Sequence, residues 1–282
     1  MSLGGTRDGT LVFGVVGCVT ILNVRRCEER LQIRPGVELA SLTDVGCQRQ
    51  NNEDRCGYWE AASDQQFERS GRLAIVADGM GGYEGGQEAS RIAVETIEEL
   101  YSEESSDDPQ SVLVSSMQAA HRRILDYADQ HPQNRGMGTT CTAISIVGDR
   151  LFFAHVGDSR LYRLRGDHLS RLSRDHSYVS RLVESGAITA GQAESHPQRH
   201  ILTAALGAGQ DVTPDVPQEP VRLASDDRVL LCTDGLWSMV SDDELQQTIA
   251  AAAPLAACHS LVEMAKKRGG PDNITLLILR LL

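Results

Sequence analysis

The first half of the chain alternates a strand-like run with two helix-like stretches. Residues 72–77 (RLAIVA) form a short apolar run that ends at Asp78, which predicts a buried strand. The stretch from about Gln87 predicts a helix, because its apolar residues recur every three or four positions. A second such helix is predicted to begin at Pro109, since proline fits the first turn of a helix. The two apolar stripes, which indicate core packing, are Ala89, Ala93, Ile97 and Leu100, and Leu113, Met117, Ala120, Ile124 and Tyr127.

After residue 139 the spacing of apolar residues changes to one typical of β-strands. Three strand-like runs, 140–147, 151–155 and 159–164, are separated by Gly-Asp turns at 148–149 and 157–158. Connections this short predict antiparallel neighbours, because parallel strands need a crossover of roughly a dozen residues. The sequence therefore disfavours a Rossmann-like doubly wound sheet.

The last part of the chain predicts further strands and helices after a polar insertion. Residues 173–207 are polar and partly helical in pattern, and residues 228–232 (RVLLC) predict a buried strand. Two helices are predicted from about Asp242 and Pro254, and residues 273–281 predict a final strand. Strand runs with short connections, together with paired helices, indicate antiparallel sheets covered by helices, an α+β fold.

Composition and charge exclude several classes of protein. The 282 residues are 41% apolar with a formal net charge of −12, which is ordinary for a globular chain and argues against a surface for nucleic acid or anionic membrane. The only lysines are Lys266 and Lys267, and neither follows a glycine, so a Walker-type phosphate loop is excluded. Any phosphate must therefore be bound by arginine, backbone amides or metal ions.

Cysteine and histidine spacings argue against zinc and redox motifs. The seven cysteines never occur as C-x-x-C, which favours unpaired, mostly buried thiols in a reducing compartment, and hence a cytoplasmic location. His196 and His200 are four apart, but Pro197 between them makes a helical ligand pair improbable, so they are interpreted as loop or packing histidines.

Residues 1–37 form an N-terminal extension whose role the sequence leaves open. The apolar run 11–24 is too short to span a bilayer comfortably, and Arg7 and Asp8 before it make a poor signal peptide. The favoured interpretation is a strand or an extra segment that packs on the domain, with no membrane expected. A lipoprotein-like cleavage box at 15–18 is the alternative.

Three aspartates stand where predicted strands begin or end: Asp78, Asp234 and Asp272. A turn explains any one of them, since Asp-Gly is a common hairpin signal. The five glycines that follow Asp78 within residues 79–86 exceed what one turn needs, and clustered glycines let the backbone approach a ligand closely.

An earlier segment adds two carboxylates and an arginine. Glu53 and Asp54 follow Arg49 closely in the chain. An arginine beside carboxylates is either a plain ion pair or a group that grips a phosphate with two hydrogen bonds. Both interpretations stay open on the residues alone.

Six motifs in order resemble the metal-dependent protein phosphatase family, the type 2C serine/threonine phosphatases, in their bacterial stand-alone form. The similarity runs from about Glu38 to the end of the sequence, and six motifs at compatible spacing are highly specific. They are D-V-G-x-x-R-x-x-N-E-D at 44–54, V-A-D-G-M-G-G at 76–82, M-G-T-T at 137–140, H-V-G-D-S-R at 155–160, L-C-T-D-G-L at 231–236 and D-N-I-T at 272–275.

The resemblance implies an architecture and a function. The fold would be a four-layer sandwich of two antiparallel β-sheets flanked by pairs of α-helices, with metals at one edge. Residues 38–282 would form the phosphatase domain, and residues 173–207 its flap. The protein would be a cytoplasmic monomer that hydrolyses phosphoserine and phosphothreonine in phosphorylated proteins and opposes a bacterial serine/threonine kinase.

The resemblance also implies roles for individual residues. Asp78 would bridge two Mn²⁺ or Mg²⁺ ions, and would act in catalysis with Arg49 and Asp234. Arg49 would bind the phosphate, and Asp158 would bind a third, weaker ion. The remaining metal ligands would be the Gly79 carbonyl, Asp234 and Asp272 and, directly or through water, Glu53 and Asp54.

Charge arguments from the residues agree with this resemblance. A phosphoserine carries close to two negative charges, which a carboxylate cluster repels unless cations are bound. Oxygen ligands favour hard ions such as Mg²⁺ or Mn²⁺ over zinc. The expected mechanism is direct attack by a hydroxide that bridges two ions, without a phosphoenzyme. Many eukaryotic members have a histidine after the Asp-Gly pair as general acid; Met80 stands there instead and cannot donate a proton.

Three alternatives remain. A non-catalytic relative would be expected to lack one of the aspartates at 78, 234 and 272, and all are present. A two-metal nuclease or phosphodiesterase would need a basic groove for its polyanionic substrate, and this chain is acidic. A third alternative keeps the chemistry and narrows the substrate to one regulatory partner protein, as in the sigma-factor-switch branch; the absence of an attached sensor domain favours the stand-alone type.

Overall fold

The computed structural model describes residues 20–22, 33–81, 84–103 and 108–282. Its strands are β1 (Thr20–Leu22), β2 (Val37–Asp44), β3 (Asp54–Glu60), β4 (Arg72–Met80), β5 (Gly138–Thr139), β6 (Cys141–Val147), β7 (Arg150–Val156), β8 (Arg160–Arg165), β9 (His168–Arg171), β10 (Val221–Arg222), β11 (Arg228–Cys232) and β12 (Ile274–Leu281). Its helices are α1 (Asp64–Ser70), α2 (Gly85–Glu103), α3 (Pro109–Gln130), α4 (Tyr178–Glu184), α5 (Ala190–Glu194), α6 (Asp234–Trp237), α7 (Asp242–Ala251) and α8 (Pro254–Lys267).

The strands of the described residues form two sheets. Sheet I has the order β1-β2-β12-β11-β8-β9, and sheet II has the order β10-β7-β6-β4-β3 with the short β5 paired to β4. The pairings are antiparallel, apart from the parallel pair of β1 with β2. The predicted α+β class with antiparallel sheets is confirmed.

Three apolar cores separate four layers. One core lies between the two sheets, a second lies between sheet I and helices α7 and α8, and a third lies between sheet II and helices α2 and α3. Strand β12 serves two of them: Leu277 and Leu279 pack between the sheets, whereas Leu276 and Ile278 pack against the helices. Strands covered on both faces explain the continuous apolar runs, since neither set of alternating side chains meets solvent.

The predicted helices and most predicted strands are confirmed. Helix α3 begins at Pro109, where the Asp108 side chain accepts hydrogen bonds from the backbone N–H groups of Gln110 and Ser111. Helix α7 begins with a reciprocal capping box between Ser241 and Glu244, a device that satisfies backbone N–H groups of the first turn. Residues 104–107, between α2 and α3, lie outside the described part of the chain.

The prediction of antiparallel neighbours is right for the first short turn and wrong for the second. Strands β6 and β7 pair antiparallel across residues 148–149. Strand β7 then belongs to sheet II and β8 to sheet I, so residues 157–159 cross from one sheet to the other. Three extended residues reach roughly 10 Å, which is the spacing of two stacked sheets. A short connection can therefore change sheets as well as turn back.

The insertion 173–207 forms α4 and α5, as its partly helical pattern predicted. A bridge between Ser177 and Leu202 closes it on itself. His196 and His200 follow α5 in turns, outside any helix, in agreement with the effect expected of Pro197.

The N-terminal extension is described only in part. Residues 20–22 form the strand β1 at the edge of sheet I, in agreement with the favoured interpretation of the apolar run, and the rest of that run, with the cleavage-box alternative at 15–18, lies outside the described residues. The domain boundary at residue 38 stays a prediction. None of the helices described has the length and apolar character needed to cross a membrane.

Candidate metal and phosphate site

The predicted site residues gather at one end of the sandwich, where strands of both sheets stop. Asp54 opens β3 and lies directly opposite Asp78, near the end of β4. Asp234 opens α6 just after β11, and Asp272 lies two residues before β12. Because β3 and β4 belong to sheet II, and β11 and β12 to sheet I, the site is built across the seam between the sheets.

Five aspartates interact electrostatically here, and they are called the aspartate cluster: Asp54, Asp78, Asp158, Asp234 and Asp272. Asp78 is central, because burial raises its pKa well above the ordinary value and the charges of the other four raise it further. Burial likewise raises the pKa of Asp54 to about 7, that of Asp158 to about 8 and that of Asp234 to about 6, with neighbouring carboxylates adding to each rise. Carboxyl groups are therefore concentrated where their ionised forms are poorly tolerated without cations.

Two carboxylate oxygens of the cluster are unsatisfied. The Oδ1 atoms of Asp54 and Asp234 are buried and find no hydrogen-bond partner among the described residues. The other oxygen of Asp54, Oδ2, accepts a hydrogen bond from the hydroxyl of Thr233 at 2.8 Å. Buried polar atoms without partners are rare, and an ion or a water is the usual explanation.

The oxygen donors fit hard divalent cations. Among the described residues, no three His, Cys, Asp or Glu side chains are drawn together tightly enough to hold one ion by themselves. Mg²⁺ does not require this, because it commonly binds one or two carboxylates and retains several waters. Backbone carbonyl oxygens beside the cluster add ligands of the same chemical type.

Gly79 is packed so tightly that only glycine fits. A Cβ atom there would overlap the carbonyl oxygen of Gly86 and approach the carbonyl oxygen of Glu53 to 2.6 Å. The Gly79 N–H donates to that Glu53 carbonyl at 3.2 Å, and the Ser90 hydroxyl donates to it at 2.6 Å. The start of α2 thereby lies against the backbone of both predicted ligands, Glu53 and Gly79. Gly82 of the same motif lies outside the described residues.

Arg49 lies at the solvent-exposed rim of the site. Its Nη2 atom donates to Oδ2 of Asp272 at 2.8 Å, and about half of its side chain remains exposed. Both interpretations of this arginine are compatible with the geometry. The ion pair holds one edge of the guanidinium, and the exposed remainder is free to contact an anion.

Asp158 lies in the segment that crosses between the sheets. Its carbonyl oxygen accepts a hydrogen bond from the Trp237 indole N–H at 2.9 Å. The guanidinium of Arg160 stacks over the Trp237 ring at 3.6 Å and donates to Asp175 at 2.7 Å. These contacts attach the crossing segment to α6, the helix that begins with Asp234.

Sequence reasoning missed the uncharged residues that support the aspartates. Thr140 accepts a hydrogen bond from the Asp78 N–H at 3.0 Å, and Thr233 donates to Asp54. Trp237 belongs to this set because it bonds to Asp158, and Asn273 belongs to it because it bonds to the 45–53 segment. Thr140, Thr233 and Asn273 lie within the six sequence motifs, which was the available signal.

The site therefore combines oxygen donors on poorly solvated aspartates with a half-exposed arginine, a set of groups that suits hard divalent cations. Comparison with known proteins agrees. The family model described as "Protein phosphatase 2C" matches residues 47–267. The serine/threonine protein phosphatase PstP of Mycobacterium tuberculosis is 36% identical over 239 residues, which is 85% of this chain and 44% of PstP.

Two further relatives extend the comparison. The protein phosphatase PhpP of Streptococcus pneumoniae is 35% identical over 245 residues, which is 85% of this chain and 96% of PhpP. The crystal structure of the PstP catalytic domain with two manganese ions has a TM-score of 0.76 at 32% identity, and covers 88% of this chain and 99% of that one. This chain belongs to the protein phosphatase 2C family, a family of metal-dependent serine/threonine protein phosphatases. It spans less than half the length of PstP and nearly the whole length of PhpP.

Proposed function

We propose that this protein hydrolyses phosphoserine and phosphothreonine monoesters of phosphorylated proteins with two Mn²⁺ or Mg²⁺ ions. The observation that supports this most directly is the aspartate cluster, whose buried oxygens on Asp54 and Asp234 have no hydrogen-bond partner among the described residues. The half-exposed Arg49 beside the cluster supplies a group that a phosphate can reach.

In this proposal Asp78, the Gly79 carbonyl, Asp234 and Asp272 would hold the two ions. Glu53 and Asp54 bind directly or through water, and Asp158 binds a third, weaker ion. When bound, the two ions would activate water for direct attack on phosphorus and would supply positive charge for the developing transition state.

Arg49 binds and orients the phosphoryl group in the proposed reaction. Its ion pair with Asp272 at 2.8 Å holds the guanidinium at the rim, and about half of the side chain stays exposed for contact with an anion. Met80 offers no proton to the leaving alkoxide, because a thioether carries none. The chain's own contribution is therefore to orient the phosphate and to concentrate negative charge that binds cations.

The setting of the enzyme is also proposed. We infer a cytoplasmic monomer that opposes a serine/threonine kinase and does not bind nucleic acid. The five described cysteines are unpaired, and Cys141, Cys232 and Cys258 are buried, which supports a reducing compartment. The net charge of −12 opposes binding of a polyanion.

The test is hydrolysis of a phosphothreonine peptide with Mn²⁺, with Mg²⁺ and after EDTA. Phosphate release is expected only with metal, and Asp234→Asn is expected to abolish it. Asp167→Asn, an exposed aspartate in the turn after β8, is the matched control and should retain wild-type activity. No release from folded protein under any metal condition would refute the proposal and favour a non-catalytic binding module.

A further inference from the structure

The carboxamide of Asn273 binds both ends of the segment that carries Arg49. Its Nδ2 atom donates to the carbonyl oxygen of Val45 at 3.0 Å and to that of Asn51 at 2.9 Å. Its Oδ1 atom accepts from the backbone N–H of Glu53 at 2.8 Å. Asn273 is only 4% exposed, so both donors and the acceptor are used inside the protein.

The segment 45–52 has further anchors besides Asn273. It connects β2 to β3, and residues 47–51 at its centre are exposed. The backbone N–H of Cys47 donates to Gly270 at 2.7 Å, and that of Gly46 donates to the Asp44 side chain at 2.8 Å. Gln48 Nε2 donates to the Gly269 carbonyl at 3.4 Å, and Asn52 Nδ2 donates to the Thr43 hydroxyl at 2.7 Å. Asn273 differs from these anchors because one side chain outside the segment bonds to both of its ends.

The neighbouring residue, Asp272, holds the Arg49 side chain. Its Oδ1 accepts from the Asn273 backbone N–H at 2.9 Å, which leaves Oδ2 for the guanidinium of Arg49 at 2.8 Å. Two consecutive residues before β12 therefore restrain both the backbone and the side chain of Arg49. Asn273 holds its backbone segment, and Asp272 holds its guanidinium.

We propose that Asn273 is a positioning residue for phosphate binding: its carboxamide closes the 45–53 segment and thereby fixes where Arg49 meets the phosphoryl group. This inference rests on the proposed function, in which Arg49 binds phosphate. A long side chain on an open loop samples many positions, and closure of the loop removes that freedom before the substrate arrives. Asn273 has this effect without touching the substrate.

The test compares Asn273→Ala and Asn273→Asp with the wild type. Ala removes all three side-chain hydrogen bonds, whereas Asp keeps the acceptor for Glu53 and loses both donors. We expect the KM for a phosphothreonine peptide and the inhibition constant of inorganic phosphate to rise on the order of tenfold, with a smaller change in kcat, as for other residues that orient a functional group. Amide exchange of the Glu53 N–H should accelerate in the Ala variant.

The double variants with Arg49→Ala separate positioning from other effects. If Asn273 acts through Arg49, neither Asn273 variant should raise KM further once Arg49 is alanine. A charge effect of Asn273→Asp on the phosphate would persist in that background. Ser145→Ala is the control for the loss of a buried hydrogen bond. Ser145 is buried and hydrogen-bonded to Tyr101 at 2.6 Å, and it lies towards the end of β6 that is far from the aspartate cluster. This variant should lower Tm and leave KM unchanged.

Each result supports or overturns a specific claim. If Arg49→Ala leaves KM and phosphate inhibition unchanged, the proposed role of Arg49 is wrong. If Arg49→Ala raises both constants while the Asn273 variants do not, or if the Asn273 effects are fully additive with Arg49→Ala, only the positioning role of Asn273 is overturned. If Asn273→Asp fails to fold, because it buries a carboxylate against two carbonyl oxygens, the KM, phosphate inhibition and amide exchange of Asn273→Ala decide the claim.

Discussion

Replacement of Asp54 by asparagine is expected to stabilise the protein in EDTA, although it removes a carboxylate from the proposed site. Asp54 is 3% exposed, and burial raises its pKa from 3.8 to about 7. Asparagine has nearly the same shape and keeps an oxygen that can accept the Thr233 hydroxyl, which lies 2.8 Å from Oδ2. The principal change is therefore the loss of a buried negative charge.

The magnitude follows from the pKa. Each pKa unit corresponds to about 1.4 kcal/mol, so the rise from 3.8 to about 7 means that ionised Asp54 lowers the free energy of unfolding by up to about 4 kcal/mol. Neighbouring carboxylates share protons with Asp54, so we expect a gain of about 2 kcal/mol for the variant. Because the folded-state pKa is raised, the loss in the wild type is absent below pH 3.8, grows up to about pH 7 and is complete above it.

The assay is urea unfolding in EDTA at pH 8 and at pH 5. The variant should be more stable than the wild type at pH 8, and the difference should shrink at pH 5. Saturating Mn²⁺ should reverse the order, because metal binding stabilises the wild type by mass action. Asp167→Asn controls for removal of any one charge from an acidic chain. An Asp54→Asn protein less stable than the wild type in EDTA at pH 8 would refute this reasoning.

Three further predictions concern the same site. Asp78→Asn should abolish turnover and leave the metal-free fold intact, as circular dichroism and phosphate release would show; wild-type turnover would remove Asp78 from the metal ligands. Asp158→Ala should reduce activity most at low metal concentration, and an activity loss independent of metal would argue against its role with a third ion. Gly79→Ala should lower the free energy of unfolding by about 1–3 kcal/mol, because its Cβ would overlap the Gly86 carbonyl, whereas unchanged stability in urea would contradict that packing.

The fold was predictable wherever a residue pattern is compatible with only one kind of secondary structure. Helices α2, α3, α7 and α8 each carry an apolar face and a polar face, so their period identified them. The connection 157–159 was not predictable, because three residues between two strands can form either a hairpin turn or a crossing to a stacked sheet. The choice depends on the core between the sheets, which involves residues far apart in the chain, such as Leu161 and Leu277.

The charged residues of the candidate site were predictable from the sequence, whereas the uncharged residues that hold them in place were less so. Asp78 and Asp234 follow apolar runs of the sequence and lie in distinctive motifs, which drew attention to them. Asn273 and Thr233 are ordinary polar residues in sequence, and their importance depends on hydrogen bonds to residues far away in the chain. A side chain whose partners are distant backbone carbonyls leaves no local pattern to recognise.

The position of β12 has a consequence for the order in which the molecule is completed during synthesis. This strand lies between β2 and β11 in sheet I and pairs with β2 over all eight of its residues, yet among the described strands it is synthesised last. A nascent chain that has not yet released residues 272–281 lacks a central strand, one aspartate of the cluster and the closure of the Arg49 segment. Sheet I and the proposed active centre are therefore completed at the same step of synthesis, when residues 272–281 join the fold.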